Sequence, residues 1–211
     1  MERILCLGIG YLFGLIQSGY LYGKTKHMDI RQHGSGNAGS TNVLRVMGVK
    51  AALIVFLGDF FKAVIAMTLV RFLFQGSGLG TDLLAMYAGL GVTLGHNFPC
   101  YLHFKGGKGI ASMAGILTAM DFRIMVVCLV IFAGTVAITR FVSLGSILVS
   151  IAFCSLLIYF GNQGSYAVTP EYLPELYGLG IVLMCMAIWR HRANMKRLLT
   201  GTENKIGVKK S

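Results

Sequence analysis

Residues 33–45, His-Gly-Ser-Gly-Asn-Ala-Gly-Ser-Thr-Asn-Val-Leu-Arg, crowd hydrogen-bond donors into a short polar stretch. Gly34, Gly36 and Gly39 leave main-chain N–H groups uncovered and can adopt backbone angles closed to other residues. Ser35, Asn37, Ser40, Thr41 and Asn42 add hydroxyl and amide donors, and Arg45 adds a cation that can grip an oxyanion through two N–H groups. That set suits a phosphate held in a backbone nest at a helix start. A second stretch, residues 95–112, contains Lys105-Gly106-Gly107-Lys108-Gly109 just before an apolar run, again glycine for backbone access and lysine for charge. His96 in that stretch reads as a base or, by default, as a hydrogen-bonded core histidine. A third stretch, residues 191–203, carries His191 and Asn194 three apart, on one helical face, and ends at Glu203.

Several familiar chemistries do not fit. Gly34, Gly36 and Gly39 match G-x-G-x-x-G, with Asp59 twenty residues on. A dinucleotide fold, however, needs a buried strand before the glycines, and the residues before them, 24–32, are polar and charged. The lysine–glycine cluster lacks the spacing of a Walker A loop. The position five after each histidine is Gln32, Ala38, Tyr101, Lys108 or Lys196, so no His–Asp acyltransfer dyad is present. Acids near the three stretches are few, Asp29, Glu203 and Asp59, which argues against carboxylate-bound metal. Five dispersed cysteines without C-x-x-C signal neither a disulfide framework nor zinc. No metal and no cofactor are expected.

The elements that must position these residues are apolar. Of 211 residues, 55% are hydrophobic and 13% charged, and mean hydropathy is +0.69. Soluble domains carry about 25% charged residues, so the chain is read as one all-α integral membrane domain over residues 1–211. A span needs roughly 20 apolar residues. The candidates are 4–23, 51–74, 83–95, 110–120, 124–139, 144–160 and 176–189, seven in all, of which 83–95 and 110–120 are short. If 110–139 were one helix, Asp121 and Arg123 would lie near the bilayer centre at a cost of several kcal/mol. A break at Asp121 removes that cost. Fifteen Lys and Arg, including Lys209 and Lys210 in the tail, then fall on one side, against Arg3, Arg71 and Arg123 on the other. The rich side is read as cytoplasmic, with the N-terminus outside and the C-terminus inside. A five-span arrangement with a re-entrant hairpin over residues 83–120 gives the loops the same parity. Asp59 and Lys62 fall inside the second span at i and i+3, read as a packing salt bridge or as support that orients Arg45 or Lys108.

The three stretches together resemble the motifs of the bacterial acyl-phosphate:glycerol-3-phosphate acyltransferases, the PlsY family. The resemblance runs through residues 34–45, 95–109 and 191–203 in order and covers the whole chain, with Tyr101 as a soft departure. It implies a bundle of seven transmembrane helices in the bacterial inner membrane. It also implies a reaction: a long-chain acyl group passes from acyl phosphate to the sn-1 hydroxyl of glycerol 3-phosphate. The products are lysophosphatidate and inorganic phosphate, in the first step of bacterial phospholipid synthesis. Under that reading Ser35, Arg45, Lys108, His191 and Asn194 are the expected catalytic set. Ser35, Asn37 and the Gly36–Thr41 backbone would hold acyl phosphate with Lys108. Arg45, Ser143, His191 and Asn194 would hold glycerol 3-phosphate. Gly34, Gly36, Gly39, Ser40, Thr41, Asn42, His96, Lys105, Gly106, Gly107 and Gly109 complete the expected binding surface, with Asp59, Lys62 and Glu203 as structural support. The expected proton acceptor is His191 or the substrate phosphate. The alternative class is a small anion transporter or channel, which would more often show inverted repeats and mid-membrane sites. No such repeat is apparent.

Overall fold

Apolar segments with no water around them must satisfy every backbone group internally, and helices do so within one segment. The computed structural model describes residues 1–207, and every element in them is helical. Lys209 and Lys210, counted above with the basic side, lie outside the described residues. The helices are α1 (Glu2–Gly14), α2 (Ser18–Thr25), α3 (Ser40–Met47), α4 (Val49–Leu73), α5 (Thr81–Asn97), α6 (Ile110–Met120), α7 (Phe122–Thr139), α8 (Val142–Asn162), α9 (Leu173–Arg190) and α10 (Arg192–Leu199). Five stretches are long and apolar enough to cross a membrane: Glu2–Thr25, Val49–Leu73, Phe122–Thr139, Val142–Asn162 and Pro170–Arg190. α5 and α6, at 17 and 11 residues, are the two short elements anticipated from the sequence.

α5 is the axis of the core. Twelve of its 17 residues are buried, and it packs against α1, α4, α6 and α9. A helix enclosed by neighbours on all sides can be short. α7, by contrast, buries only Ile124 and Cys128 and turns the rest of its apolar surface outward. The α1–α5 contact uses glycine on both sides. A Cβ added at Gly95 would stand 2.9 Å from the Cα of Gly14, so the two backbones approach more closely than any larger residue permits.

The polar turns collect at two poles. One pole joins Arg3, Tyr87 and Glu175, pairs Arg71 with Asp82, and links Arg123 to both Asp121 and Ser165. The other, the loop pole, gathers residues 26–48, 98–109, 140–141 and 191–207. The expected break at Asp121 is present: its side chain accepts from the Arg123 backbone N–H and caps α7.

The first span departs from expectation, because it is not continuous. The chain leaves the helix at Leu15–Gln17 and resumes as α2. Two buried side chains satisfy the carbonyls this break exposes. Gln17 Nε2 donates to the carbonyls of Gly14, Gly95 and His96, and Lys62 Nζ donates to that of Ile16 at 2.6 Å.

Candidate active site

The first polar stretch folds around a single amide. Asn42 sits in the first turn of α3 and is 1% exposed. Its Nδ2 donates to the carbonyls of Ile30, His33 and Asn37, and its Oδ1 accepts from the Ser35 N–H at 2.7 Å. Asn42 therefore builds the loop, and its amide is fully engaged there instead of standing free for a ligand. Gly34 and Gly36 take positive φ, 60° and 72°, to wrap the chain around it. The result presents Ser35, Gly36, Asn37, Gly39, Ser40 and Thr41 to one cavity, at the start of α3, where the Asn42 and Val43 N–H groups already donate to the Gly39 carbonyl.

The second stretch is clamped from two sides. Below, the N–H groups of Gly106 and Gly107 donate to the carbonyls of Asn97 and His96 at the end of α5. Above, Arg190 Nη2 donates to the Gly106 and Gly107 carbonyls at 3.0 and 2.6 Å. Gly109, at φ 79°, then turns the chain into α6. This clamp holds Lys108 toward the third stretch, where its Nζ donates to Asn194 Oδ1.

The third stretch is organised by Glu203. Its Oε1 accepts from Ser143 Oγ at 2.9 Å and Asn194 Nδ2 at 2.7 Å, and its Oε2 accepts from Arg197 Nε at 2.7 Å. The Ile206 N–H donates to the carbonyl of Arg140, tying the tail across the start of α8. Burial pushes the Glu203 carboxyl upward, but hydrogen bonds from Asn194, Arg197 and Ser143 outweigh it and hold the group below its usual range. Asn194 thus links the carboxylate to Lys108.

These three stretches line a cavity of about 850 Å³. Its polar wall contains Ser35, Arg45, Lys108, Ser143, His191 and Asn194, which sequence positions as far apart as 35 and 194 give no direct reason to expect together. Its other wall is apolar: Leu53 and Phe56 of α4, Ile110 of α6, Phe132 and Val136 of α7, and Val142 of α8. The cavity electrostatics favour an anion. Among the described residues neither Arg45 nor Lys108 has a carboxylate within salt-bridge distance. Burial lowers the Arg45 guanidinium from its ordinary value. Burial, reinforced by Arg197, brings the Lys108 ammonium down to about 8 against the pull of Glu203. His191 is pushed down to about 4 by burial and then by Lys108. It is neutral at pH 7, and its Nδ1 stands 2.8 Å from the Ala187 carbonyl. A carbonyl only accepts, so the proton is on Nδ1 and the Nε2 lone pair is left free.

Some expected residues lie elsewhere. Lys105 is exposed and Gly107 packs on His96; neither lines the cavity, and Gly34 lines a separate pocket that shares Ser35, Thr41, Leu44, Arg45 and Glu203 with it. Of the two readings of Asp59, a packing salt bridge with Lys62 or support for Arg45 or Lys108, the salt bridge is present. Asp59 accepts from Lys62 at 2.8 Å and lies 3.6 Å from His96. His96, 3% exposed, does line the cavity. Sequence reasoning missed Arg190, Gln17 and Asn204. Arg190 looks like one more basic residue after a span, Gln17 like a stray polar residue within one, and Asn204 like tail. Only their folded neighbours distinguish them.

The family model described as "Glycerol-3-phosphate acyltransferase" matches residues 4–201. The chain is 41% identical over 210 residues to a glycerol-3-phosphate acyltransferase of Thermoanaerobacter sp. (strain X514), covering 99% of this chain and 98% of that one. It is 42% identical over 212 residues to one from Halalkalibacterium halodurans, covering 100% and 98%. Among solved structures it is similar to the integral membrane glycerol 3-phosphate acyltransferase PlsY. In that protein's glycerol 3-phosphate form the TM-score is 0.85 at 32% identity, covering 98% of this chain and 96% of that one. Against the lysophosphatidic acid form of the same enzyme it is 0.83.

Proposed function

This chain belongs to the glycerol-3-phosphate acyltransferase family, and we propose that it moves a long-chain acyl group from acyl phosphate to the sn-1 hydroxyl of glycerol 3-phosphate. The products are lysophosphatidate and inorganic phosphate. The observation that carries this reading is the two-sided cavity. A polar wall with two cations unmatched by carboxylates meets an apolar wall formed by α4, α6, α7 and α8. A substrate that is a phosphate at one end and an alkyl chain at the other needs both.

Ser35, Asn37 and the Gly36–Thr41 backbone hold the acyl phosphate together with Lys108. Arg45, Ser143, His191 and Asn194 hold glycerol 3-phosphate, and Glu203 fixes Ser143 and Asn194 from behind. The acyl chain lies along Leu53, Phe56, Phe132 and Val136. Acyl phosphate is a mixed anhydride whose leaving group departs readily, so no covalent enzyme intermediate is needed. The glycerol oxygen attacks the acyl carbon, negative charge builds on the carbonyl and phosphate oxygens, and the C–O bond to phosphate breaks. What the protein supplies is positioning and fixed positive charge. The hydroxyl proton goes to the departing phosphate. A phosphate's second pKa is about 6, so it is a better acceptor than an imidazole held at about 4. The His191 Nε2 lone pair instead accepts a hydrogen bond from a substrate hydroxyl and orients it.

Seven crossings, with the loop pole cytoplasmic and the N-terminus outside, suit this chemistry, since water-soluble glycerol 3-phosphate and free phosphate are on that side of an inner membrane. The anion-transporter reading is weaker, because the anion-binding groups collect at one pole instead of near the middle of the bundle.

The test is turnover. Purified protein is given palmitoyl phosphate and glycerol 3-phosphate, and phosphate release is measured, with palmitoyl-CoA and Ser35→Ala in parallel. Release that needs glycerol 3-phosphate, fails in the variant and is absent with the thioester is the expected result. A folded sample with no turnover, but with anion flux in liposomes, would replace this reading with the transporter.

A further inference from the structure

Beneath the second polar stretch is a buried ionic knot that the reaction as derived does not use. Lys62 Nζ contacts the Ile16 carbonyl at 2.6 Å, Asp59 Oδ1 at 2.8 Å and His96 Nδ1 at 2.9 Å. An ammonium has three N–H donors and no lone pair. Paired with the Asp59 carboxylate, Lys62 is taken as an ammonium; these three short contacts account for its hydrogens, and the Gly14 carbonyl stands farther off at 3.5 Å. His96 Nδ1 must then be an acceptor, which places the imidazole proton on Nε2. Asp59 stands 3.6 Å from that ring, beyond hydrogen-bond reach, so it acts on His96 through Lys62.

The Nε2 edge of His96 is turned toward the anion loop. A Cβ built on Gly107 would stand 2.9 Å from both Cδ2 and Cε1 of the ring, so only glycine leaves room for it there. Among the described residues His96 Nε2 makes no hydrogen bond to a protein acceptor, while its Nδ1 is engaged by Lys62. His96 lines the same cavity as Ser35, Asn37 and Lys108, the residues assigned above to acyl phosphate.

We propose that His96 donates a hydrogen bond from Nε2 to the head group of acyl phosphate, and that Lys62 and Asp59 are positioning residues that fix the imidazole as a donor. This deepens, and rests on, the acyl phosphate reading above. His191 is the mirror case. Its Nδ1–H is bound by a carbonyl, which leaves Nε2 as the acceptor, and the residue lines the same cavity. One histidine gives a hydrogen bond and the other takes one.

The proposal has a spectroscopic and a kinetic test. In protein labelled with 15N-histidine, nitrogen NMR reports which ring nitrogen carries the proton. His96 should show a protonated Nε2 and a bare Nδ1, and His191 the reverse. Adding a non-transferable palmitoyl phosphonate at a concentration that fully inhibits turnover should shift His96 Nε2. A proton on Nδ1, or an Nε2 signal unmoved by the phosphonate, would overturn the proposal.

In kinetics, His96→Phe keeps the ring and removes the donor. It should raise KM for palmitoyl phosphate about tenfold, the ratio equivalent to one lost hydrogen bond of about 1.4 kcal/mol, with KM for glycerol 3-phosphate unchanged. His96→Gln restores an N–H and should recover most of the loss. Equal rises in both KM values, or no rescue by Gln, would reduce His96 to packing. The uncharged pair Asp59→Asn with Lys62→Met should leave His96 in mixed tautomers and reproduce the KM rise. A pure Nε2–H tautomer in that pair would remove Lys62 and Asp59 from the account. If the wild-type protein turns over no palmitoyl phosphate at all, it is the function proposed above that fails, and the tautomer result is read separately.

Discussion

The two poles of the molecule differ in whether all of their cations are matched. At the pole away from the loops each arginine has a carboxylate: Arg3 with Glu175, Arg71 with Asp82 and Arg123 with Asp121, all within 2.7 Å. Those pairs close turns between helices and ask nothing further of their surroundings. At the loop pole Arg31 and Arg197 are paired with Asp29 and Glu203, but Arg45 and Lys108 face a cavity without such partners, and Glu203 is already committed to Ser143, Asn194 and Arg197. Lys108 is partly buried and Arg45 more exposed, and unmatched positive charge lining a cavity is charge that a bound anion can neutralise. The contrast therefore separates charge that holds the fold from charge that waits for substrate.

Breaking the Glu203 knot should have the largest effect, because that carboxylate ties Ser143, Asn194 and Arg197 together beside the cavity. Glu203→Ala leaves Asn194 and Ser143 buried without their acceptor and Arg197 without its partner. Leaving a buried donor without its acceptor costs about 1–3 kcal/mol, whereas Arg197 is exposed enough to be resolvated. We expect a lower Tm and a fall in kcat/KM of more than about 100-fold, the rate equivalent of about 2.7 kcal/mol. Glu203→Gln keeps the shape and should lie between the two. An alanine variant with normal Tm and normal rate would mean that Asn194 and Lys108 are placed by other contacts.

Next in size is Arg45→Ala. It removes a charge-assisted bond worth about 1.5–3 kcal/mol, so KM for glycerol 3-phosphate should rise roughly 10- to 100-fold with a smaller change in kcat. An unchanged value would move Arg45 to the other substrate. Lys108 offers a subtler test. With its ammonium at about 8 in the free protein, the charge is present below that pH and lost above it. kcat/KM should therefore fall as pH rises through about 8, and Lys108→Arg should move that limb to higher pH. Ionisation of the substrates is common to both proteins and cancels in their ratio. A limb that stays in place in Lys108→Arg would assign the titration to another group.

Much of this division was visible in the sequence, and the reasons are physical. Apolar runs of span length, the break that Asp121 demands, and glycine beside Ser, Asn and Lys all follow from local chemistry. The i, i+3 pairing of Asp59 with Lys62 is local too, and it is present. What was not legible is how a polar side chain is used once folded. Asn42 and Ser35 both read as phosphate ligands, yet Asn42 is consumed by four contacts inside its own loop while Ser35 faces the cavity. One reading of Asp59 pointed to Arg45 or Lys108 by composition, but the break in the first helix brings the Ile16 carbonyl to Lys62 and draws the pair toward His96. Gln17 acquires its meaning only because α1 and α5 are close enough for one amide to cap both. Tertiary proximity decides each of these, and no single stretch contains it.

The smallest effect is expected at the opposite pole, and it is the most direct check on the contrast. Arg3 and Glu175 form a two-bonded pair at 2.6 and 2.7 Å, with Tyr87 donating to the same carboxylate at 2.5 Å. Arg3 is about one-third exposed and Glu175 about one-quarter. Ion pairs with that access to solvent contribute about 0–1 kcal/mol. Arg3→Gln should therefore lower Tm slightly and leave both KM values and kcat within twofold of wild type. High salt should shrink the Tm difference between the two proteins, since screening weakens the pair in the parent alone. A tenfold loss of kcat from Arg3→Gln would show that the closed pole communicates with the cavity, and the separation of holding charge from waiting charge would fail.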